Sequence, residues 1–235
     1  MIEKIQVFYN RVKHANKKWF VIGVMIKLFK YAPFYTTTRN ILIKKFSTKQ
    51  LKIWETNGHI GSPPHIIKQQ VLKSFASKYN LKILVETGTF YGDMVDSMKD
   101  NFDEIYSIEL DKFLYNKAKK RFSSENHIKI IHGDSSEKIK QVMNYIKKPT
   151  LFWLDGHYSG GETARGNKDT PIYEELQTIF DASDLGHVII IDDARCFGTD
   201  SDYPSVDELK KFIFSKKSNV IISMEYDSIR IIPKI

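Results

Sequence analysis

From residue 81 onward, short apolar runs rich in branched side chains alternate with polar turns and stretches of helical spacing. The runs LKILVE (81–86), EIYSIEL (104–110), HIKIIHG (127–133), TLFWLDG (150–156) and HVIIIDD (187–193) read as buried strands. Segments such as MVDSMKDNF (94–102) carry apolar residues at helical spacing between them. This is the rhythm of βαβ units, which predicts a parallel sheet covered on both faces. Thr170, Pro171, Glu174 and Glu175 predict a helix start, with Thr170 as N-cap and Pro171 in the first helical position. The last two runs, NVIISME (219–225) and SIRIIPK (228–234), are separated only by Tyr226 and Asp227. A link of two residues joins only antiparallel strands, so the sheet is expected to end in a hairpin. Residues 50–80 read as a loop and a helix leading into the first strand.

The 235 residues suit one α/β domain with an appendage. Cys196, the single cysteine, forms no internal disulfide, which fits a cytoplasmic protein. The net charge of +8 sits almost wholly in residues 1–49, where eleven Lys/Arg face one acid, Glu3. The rest of the chain holds 25 bases and 27 acids, which argues against nucleic acid as a partner, since phosphate binding needs bases spread over the binding face. The division expected is a basic helical arm, 1–49, and a domain, 50–235. Within the arm, WFVIGVMIKLF (19–29) is about half the ~20 residues a bilayer span requires. It reads either as an interfacial helix at the inner membrane face or as a helix packed on the domain or on a second subunit of a homodimer.

In open α/β sheets ligands bind at the carboxyl ends of the strands. Those ends carry Glu86-Thr87-Gly88, Glu109, Gly133-Asp134-Ser135, Asp155 and Asp192-Asp193. The stretch LVETGTFYGD (84–93) comes close to a dinucleotide fingerprint, but Phe90 stands where the second glycine should be, against a close pyrophosphate. S-adenosylmethionine carries no phosphate, and a carboxylate such as Glu86 favours its sulfonium and amino group. Glu109, 21 residues past Gly88, is placed for ribose hydroxyls, and Asp134 for the adenine edge.

VETGTFYGDMV, YSIELD, HGDS, FWLDGHYSGG and IIIDDARCFG together resemble class I S-adenosylmethionine-dependent methyltransferases, and among them the macrocin O-methyltransferase-like bacterial proteins associated with sugar and polysaccharide modification. The resemblance covers about residues 60–235. It implies a Rossmann-like seven-stranded sheet, parallel except near its C-terminal hairpin. It also implies a cofactor lying against Glu86, Thr87, Gly88, Thr89, Gly92 and Asp93 in the first loop, and against Glu109, Asp134, Ser135 and Asp155 beyond it. His65, in SPPHIIKQQ, belongs to a segment placed to close over the cofactor.

Methyl transfer requires an aligned nucleophile and removal of its proton. Asp155, Asp192 and Asp193 end neighbouring strands, and such oxygen ligands suit Mg²⁺ or another divalent cation that would acidify a hydroxyl. The family resemblance implies the same three as metal ligands. His157, two residues beyond Asp155, is the candidate general base. The loop 156–170 is long and glycine-rich, and its Arg165 and Lys168 either face an acidic acceptor or are solvated. The function expected is a metal-dependent O-methyltransferase acting on a sugar or saccharide precursor, with a lipid-linked acceptor at the membrane face as an extension. A nicotinamide-dependent sugar oxidoreductase and a non-catalytic nucleoside-binding protein are the alternatives. YNKAK (115–119) matches the oxidoreductase Tyr-x-x-x-Lys by letters only, and a non-catalytic copy would have no use for uncompensated carboxylates in a pocket.

Overall fold

The computed structural model describes residues 48–59, 61–156, 170–199 and 203–234. The chain divides into two compact units, Met1–Thr56 and Asn57–Ile235. Of the first, the described part is a helical segment over 48–56, and the apolar stretch 19–29 lies outside the described residues. The second unit runs α1 (His65–Lys78), β1 (Ile83–Thr87), α2 (Asp93–Met98), β2 (Glu104–Glu109), α3 (Lys112–Arg121), β3 (Ile128–His132), α4 (Ser135–Met143), β4 (Thr150–Leu154), α5 (Ile172–Asp181), β5 (Val188–Ile191), α6 (Val206–Lys216), β6 (Val220–Glu225) and β7 (Ser228–Pro233).

The seven strands hydrogen-bond in the order β3-β2-β1-β4-β5-β7-β6. β1 to β5 pair in parallel, and β7 is antiparallel to both β5 and β6. The order reverses between β1 and β4, which opens the ligand crevice of such sheets at the carboxyl ends of these two strands.

Alternation along each strand sorts side chains onto two cores. Ile83, Val85, Phe152, Leu154, Ile189 and Ile191 face a core closed by Ile139 and Val142 of α4, Ile172, Leu176 and Ile179 of α5, and Leu209 and Ile213 of α6. Leu84, Leu151, Trp153, Val188 and Ile190 face the other, closed by Leu72 and Ala76 of α1, Met94, Val95 and Met98 of α2, and Phe122 at the end of α3. Burying such a side chain contributes about 1.5–3 kcal/mol, so the central strands form as continuous apolar runs. The same alternation continues past the strand ends, and it directs Glu86, Asp155 and Asp192 toward the α1 side.

The terminal hairpin forms as expected. Tyr226 and Asp227 both take left-handed backbone, with φ of 50° and 56°, as a two-residue link matched to strand twist demands. Asp227 ties this turn to the segment after β5: its carbonyl accepts from the Ala194 amide at 2.8 Å, and its carboxylate accepts from the Arg195 amide at 2.9 Å and from the Arg195 guanidinium. One local expectation fails. Pro171, not Thr170, is the N-cap of α5, and Thr170 contributes only a long hydroxyl contact, 3.4 Å, to the Ile172 amide.

α6 begins with a complete capping box, in which the Ser205 hydroxyl accepts from the Glu208 amide while the Glu208 carboxylate accepts from the Ser205 amide. Ser205→Ala is expected to lower unfolding stability by about 1 kcal/mol, measured by urea denaturation.

Candidate active site

The turn after β1 is too tight for any residue but glycine. Gly88 has φ +90°, and a Cβ there would lie 2.4 Å from the backbone oxygen of Asp155. The Gly88 and Thr89 amides donate to the Ile108 carbonyl at 2.9 and 3.2 Å. The β1 turn is thereby locked between the ends of β2 and β4. Gly92, at φ +78°, begins α2, and a Cβ on it would meet the Phe122 ring at 2.7 Å. The two glycines are required by backbone shape and by close approach.

Around this turn stand carboxylates. Glu86, 1% exposed, accepts from the Ser107 hydroxyl, which in turn is 2.6 Å from the Thr89 hydroxyl. Burial pushes its pKa up to about 8. Glu109 is held at both oxygens, by the Phe90 amide at 2.7 Å and the Asp111 amide at 2.8 Å. Its pKa is raised by burial, partly offset by those amides. Each oxygen keeps a further lone pair, so the group is fixed in direction and still able to accept. Phe90 occupies left-handed backbone, φ 51°, to make its contact.

Asp155 follows β4 and Asp192 follows β5. Burial first, and then the Asp192 carboxylate, raise the Asp155 pKa. From α1, the Lys68 side chain reaches these acids. Its ammonium donates to Asp192 Oδ2 and lies 3.7 Å from Asp193 Oδ1. Burial lowers the Lys68 pKa, but attraction to Asp192, Asp155 and Asp193 outweighs it and holds the ammonium firmly protonated. Asp193, left-handed at φ 55°, also accepts from the Arg195 guanidinium at 2.9 Å.

The same residues bear on the metal expectation. Asp155, Asp192 and Asp193 do come to neighbouring strand ends, yet among the described residues no group of three or more His, Cys, Asp or Glu side chains is disposed to hold a metal ion. Asp192 and Asp193 already face Lys68, and Asp193 faces Arg195 as well, so a divalent cation there would compete with charges already in place. The compensation is partial: among the described residues Asp155 has no ion-pair partner, and burial together with the Asp192 carboxylate raises its pKa.

The remaining sequence candidates divide. Asp93 is engaged by Arg121 at 2.9 Å, and the same guanidinium bonds the Tyr91 carbonyl at 2.7 Å and Asp96 at 2.9 Å, which makes Asp93 a brace between α2 and α3. Asp134 caps α4 through the Ser136 amide at 2.9 Å. His65 is exposed at the start of α1 and shares a 2.8 Å hydrogen bond with Gln69 on its own helix. Cys196 is half-buried against the core. His157, Arg165 and Lys168, with most of the loop 156–170, lie outside the described residues.

Two residues of the site were not anticipated, Lys68 and Glu175. Glu175, fully buried on α5, lies by Thr87 and Ser135, whose hydroxyls draw its pKa down without closing a hydrogen bond of normal geometry. Burial dominates and pushes the pKa up to about 7. A carboxyl whose folded pKa exceeds its unfolded value of about 4.5 stabilises the fold most below pH 4.5, and that contribution is lost as pH rises toward 7. Glu175→Gln is therefore expected to flatten the fall in stability between pH 5 and pH 8, by on the order of 3 kcal/mol, in urea titrations across that range.

No family model matches the sequence, and no curated protein matches it. Solved structures do. The O-methyltransferase TomG from Streptomyces achromogenes, in complex with S-adenosylmethionine, matches with a TM-score of 0.54 and 16% identity, over 79% of this chain and 87% of its own. An O-methyltransferase from Bacillus cereus, with S-adenosylhomocysteine, gives 0.53 and 12%, over 79% and 89%. A methyltransferase from Podospora anserina, also with S-adenosylhomocysteine, gives 0.52 and 15%, over 87% and 97%. At such identities the likeness speaks for architecture, in agreement with the strand order: the chain has the fold of the class I S-adenosylmethionine-dependent methyltransferases.

Proposed function

We propose that the chain transfers the methyl group of S-adenosylmethionine to a hydroxyl oxygen of a small acceptor, with a sugar or polysaccharide precursor as the substrate class. The observation that carries this reading is the glycine-only turn at Gly88, with Glu86 and Glu109 beside it, at the point where the sheet order reverses. Phe90, at the position of the second dinucleotide glycine and tied by its amide to Glu109, stands against a close pyrophosphate. Glu109, fixed by two backbone amides, suits a ribose diol. TomG and the B. cereus enzyme were solved with S-adenosylmethionine and S-adenosylhomocysteine respectively, which supports extending the same cofactor to this chain.

The saccharide acceptor rests on the resemblance of the sequence motifs. A lipid-linked acceptor, peripheral contact of the basic arm with the inner membrane face, and a homodimer belong to the same proposal. Among the described residues no helix is long and apolar enough to cross a membrane.

The test is thermal unfolding with S-adenosylhomocysteine and, separately, with NAD. A ligand at a hundredfold excess over its dissociation constant stabilises the folded state by about 2.7 kcal/mol, and S-adenosylhomocysteine is expected to do so while NAD does not. Glu109→Ala is expected to weaken S-adenosylhomocysteine roughly ten- to a hundredfold, the worth of hydrogen bonds to a charged group. Stabilisation by NAD alone would favour the oxidoreductase alternative. Binding of S-adenosylhomocysteine with no methyl transfer to any hydroxyl acceptor would favour the non-catalytic one.

A further inference from the structure

We infer that Lys68 is the resident cation of the acceptor side of this pocket, so that an ammonium fixed on α1 does the electrostatic work that a divalent metal would otherwise do between the ends of β4 and β5. The inference rests on the methyl-transfer reading above.

Lys68 precedes Leu72 and Ala76 by four and eight residues, so it shares their buried helical face and its backbone is held against the sheet. It is 14% exposed, and Asp192 is 1% exposed. With Ile67, Val71, Trp153, Tyr226 and Ser228, Lys68 lines a narrow depression that has no room for a water molecule. A divalent ion would have to expel this ammonium, and breaking one half of a buried ion pair leaves an uncompensated charge. The second oxygen of Asp192, Oδ1, is buried and accepts no hydrogen bond from the protein, so the carboxylate has capacity left on the side away from Lys68.

An ammonium has three donors. One goes to Asp192, and Asp193, at 3.7 Å, lies beyond hydrogen-bond distance, so donors remain for an acceptor oxygen. In the transfer, the acceptor oxygen forms a bond to the methyl carbon. The C–S bond breaks with its electron pair going to sulfur, and the hydroxyl proton is released to water. A fixed positive charge stabilises the developing oxyanion without metal, as preorganised donors do elsewhere.

The experiment is a Mn²⁺ titration followed by electron paramagnetic resonance on the full chain, for the wild type, Lys68→Arg and Lys68→Ala. S-adenosylhomocysteine is titrated calorimetrically into the same samples with and without EDTA. The wild type and Lys68→Arg are expected to leave Mn²⁺ free and to bind S-adenosylhomocysteine equally with EDTA present. Lys68→Ala is expected to gain one bound Mn²⁺. Stoichiometric Mn²⁺ on the wild type, lost in Asp192→Asn, overturns the inference, as does a folded Lys68→Ala that takes up none. If Lys68→Ala does not fold, the wild type and Lys68→Arg decide. Absence of S-adenosylhomocysteine binding would bring down the methyl-transfer reading separately, since the Mn²⁺ signal is read independently of it.

Discussion

Burying a carboxylate requires either a proton or a counter-charge, and the end of this parallel sheet buries several. Isolated, an ionised carboxylate in a protein interior is too costly to persist. The chain resolves the problem differently at each position. Glu86 and Glu175 are pushed toward the protonated form, Glu109 is held by two amides, and Asp192 is matched by Lys68. The architecture follows from meeting these demands: α1 must bring Lys68 to the end of β5, and the turn at Gly88 must bring β1 against the backbone of Asp155.

The same arrangement gives the site its two sides. On the β1 and β2 side, Glu86, Ser107, Thr89 and Glu109 form a rigid, acid-lined wall by the glycine turn. On the β4 and β5 side, Asp155, Asp192 and Asp193 surround an ammonium. In the proposed transfer, the cofactor lies against the first side and the acceptor oxygen against the second. The hairpin turn at Tyr226 and Asp227 anchors the second side through Ala194 and Arg195, so a distant pair of strands sets the position of Asp193.

Much of this was legible in the sequence because a parallel sheet writes itself as repeated apolar runs whose ends carry the chemistry. The strands, the terminal hairpin, the glycine turn and the strand-end positions of the acids follow from that pattern. What it did not reveal was which acids are already spoken for. Asp93 looked available until Arg121, 28 residues away, was seen to bind it. Lys68 sits in a helix with other lysines and has no motif, and Glu175 served only as a helix-start signal. Both carry one local signal, helical spacing that places them in an apolar stripe: Lys68 with Leu72 and Ala76, and Glu175 with Ile172, Leu176 and Ile179. A charge in such a stripe is a buried charge, but its partner comes from another part of the chain and periodicity does not name it.

The most direct test of the account is a crystal structure grown with S-adenosylhomocysteine and MnCl₂, with anomalous data collected at the manganese edge. The account predicts density for the ligand over Gly88, its ribose on Glu109, the Lys68 ammonium between Asp192 and Asp193, and no anomalous peak there. A manganese peak between the ends of β4 and β5 with Lys68 displaced would contradict it.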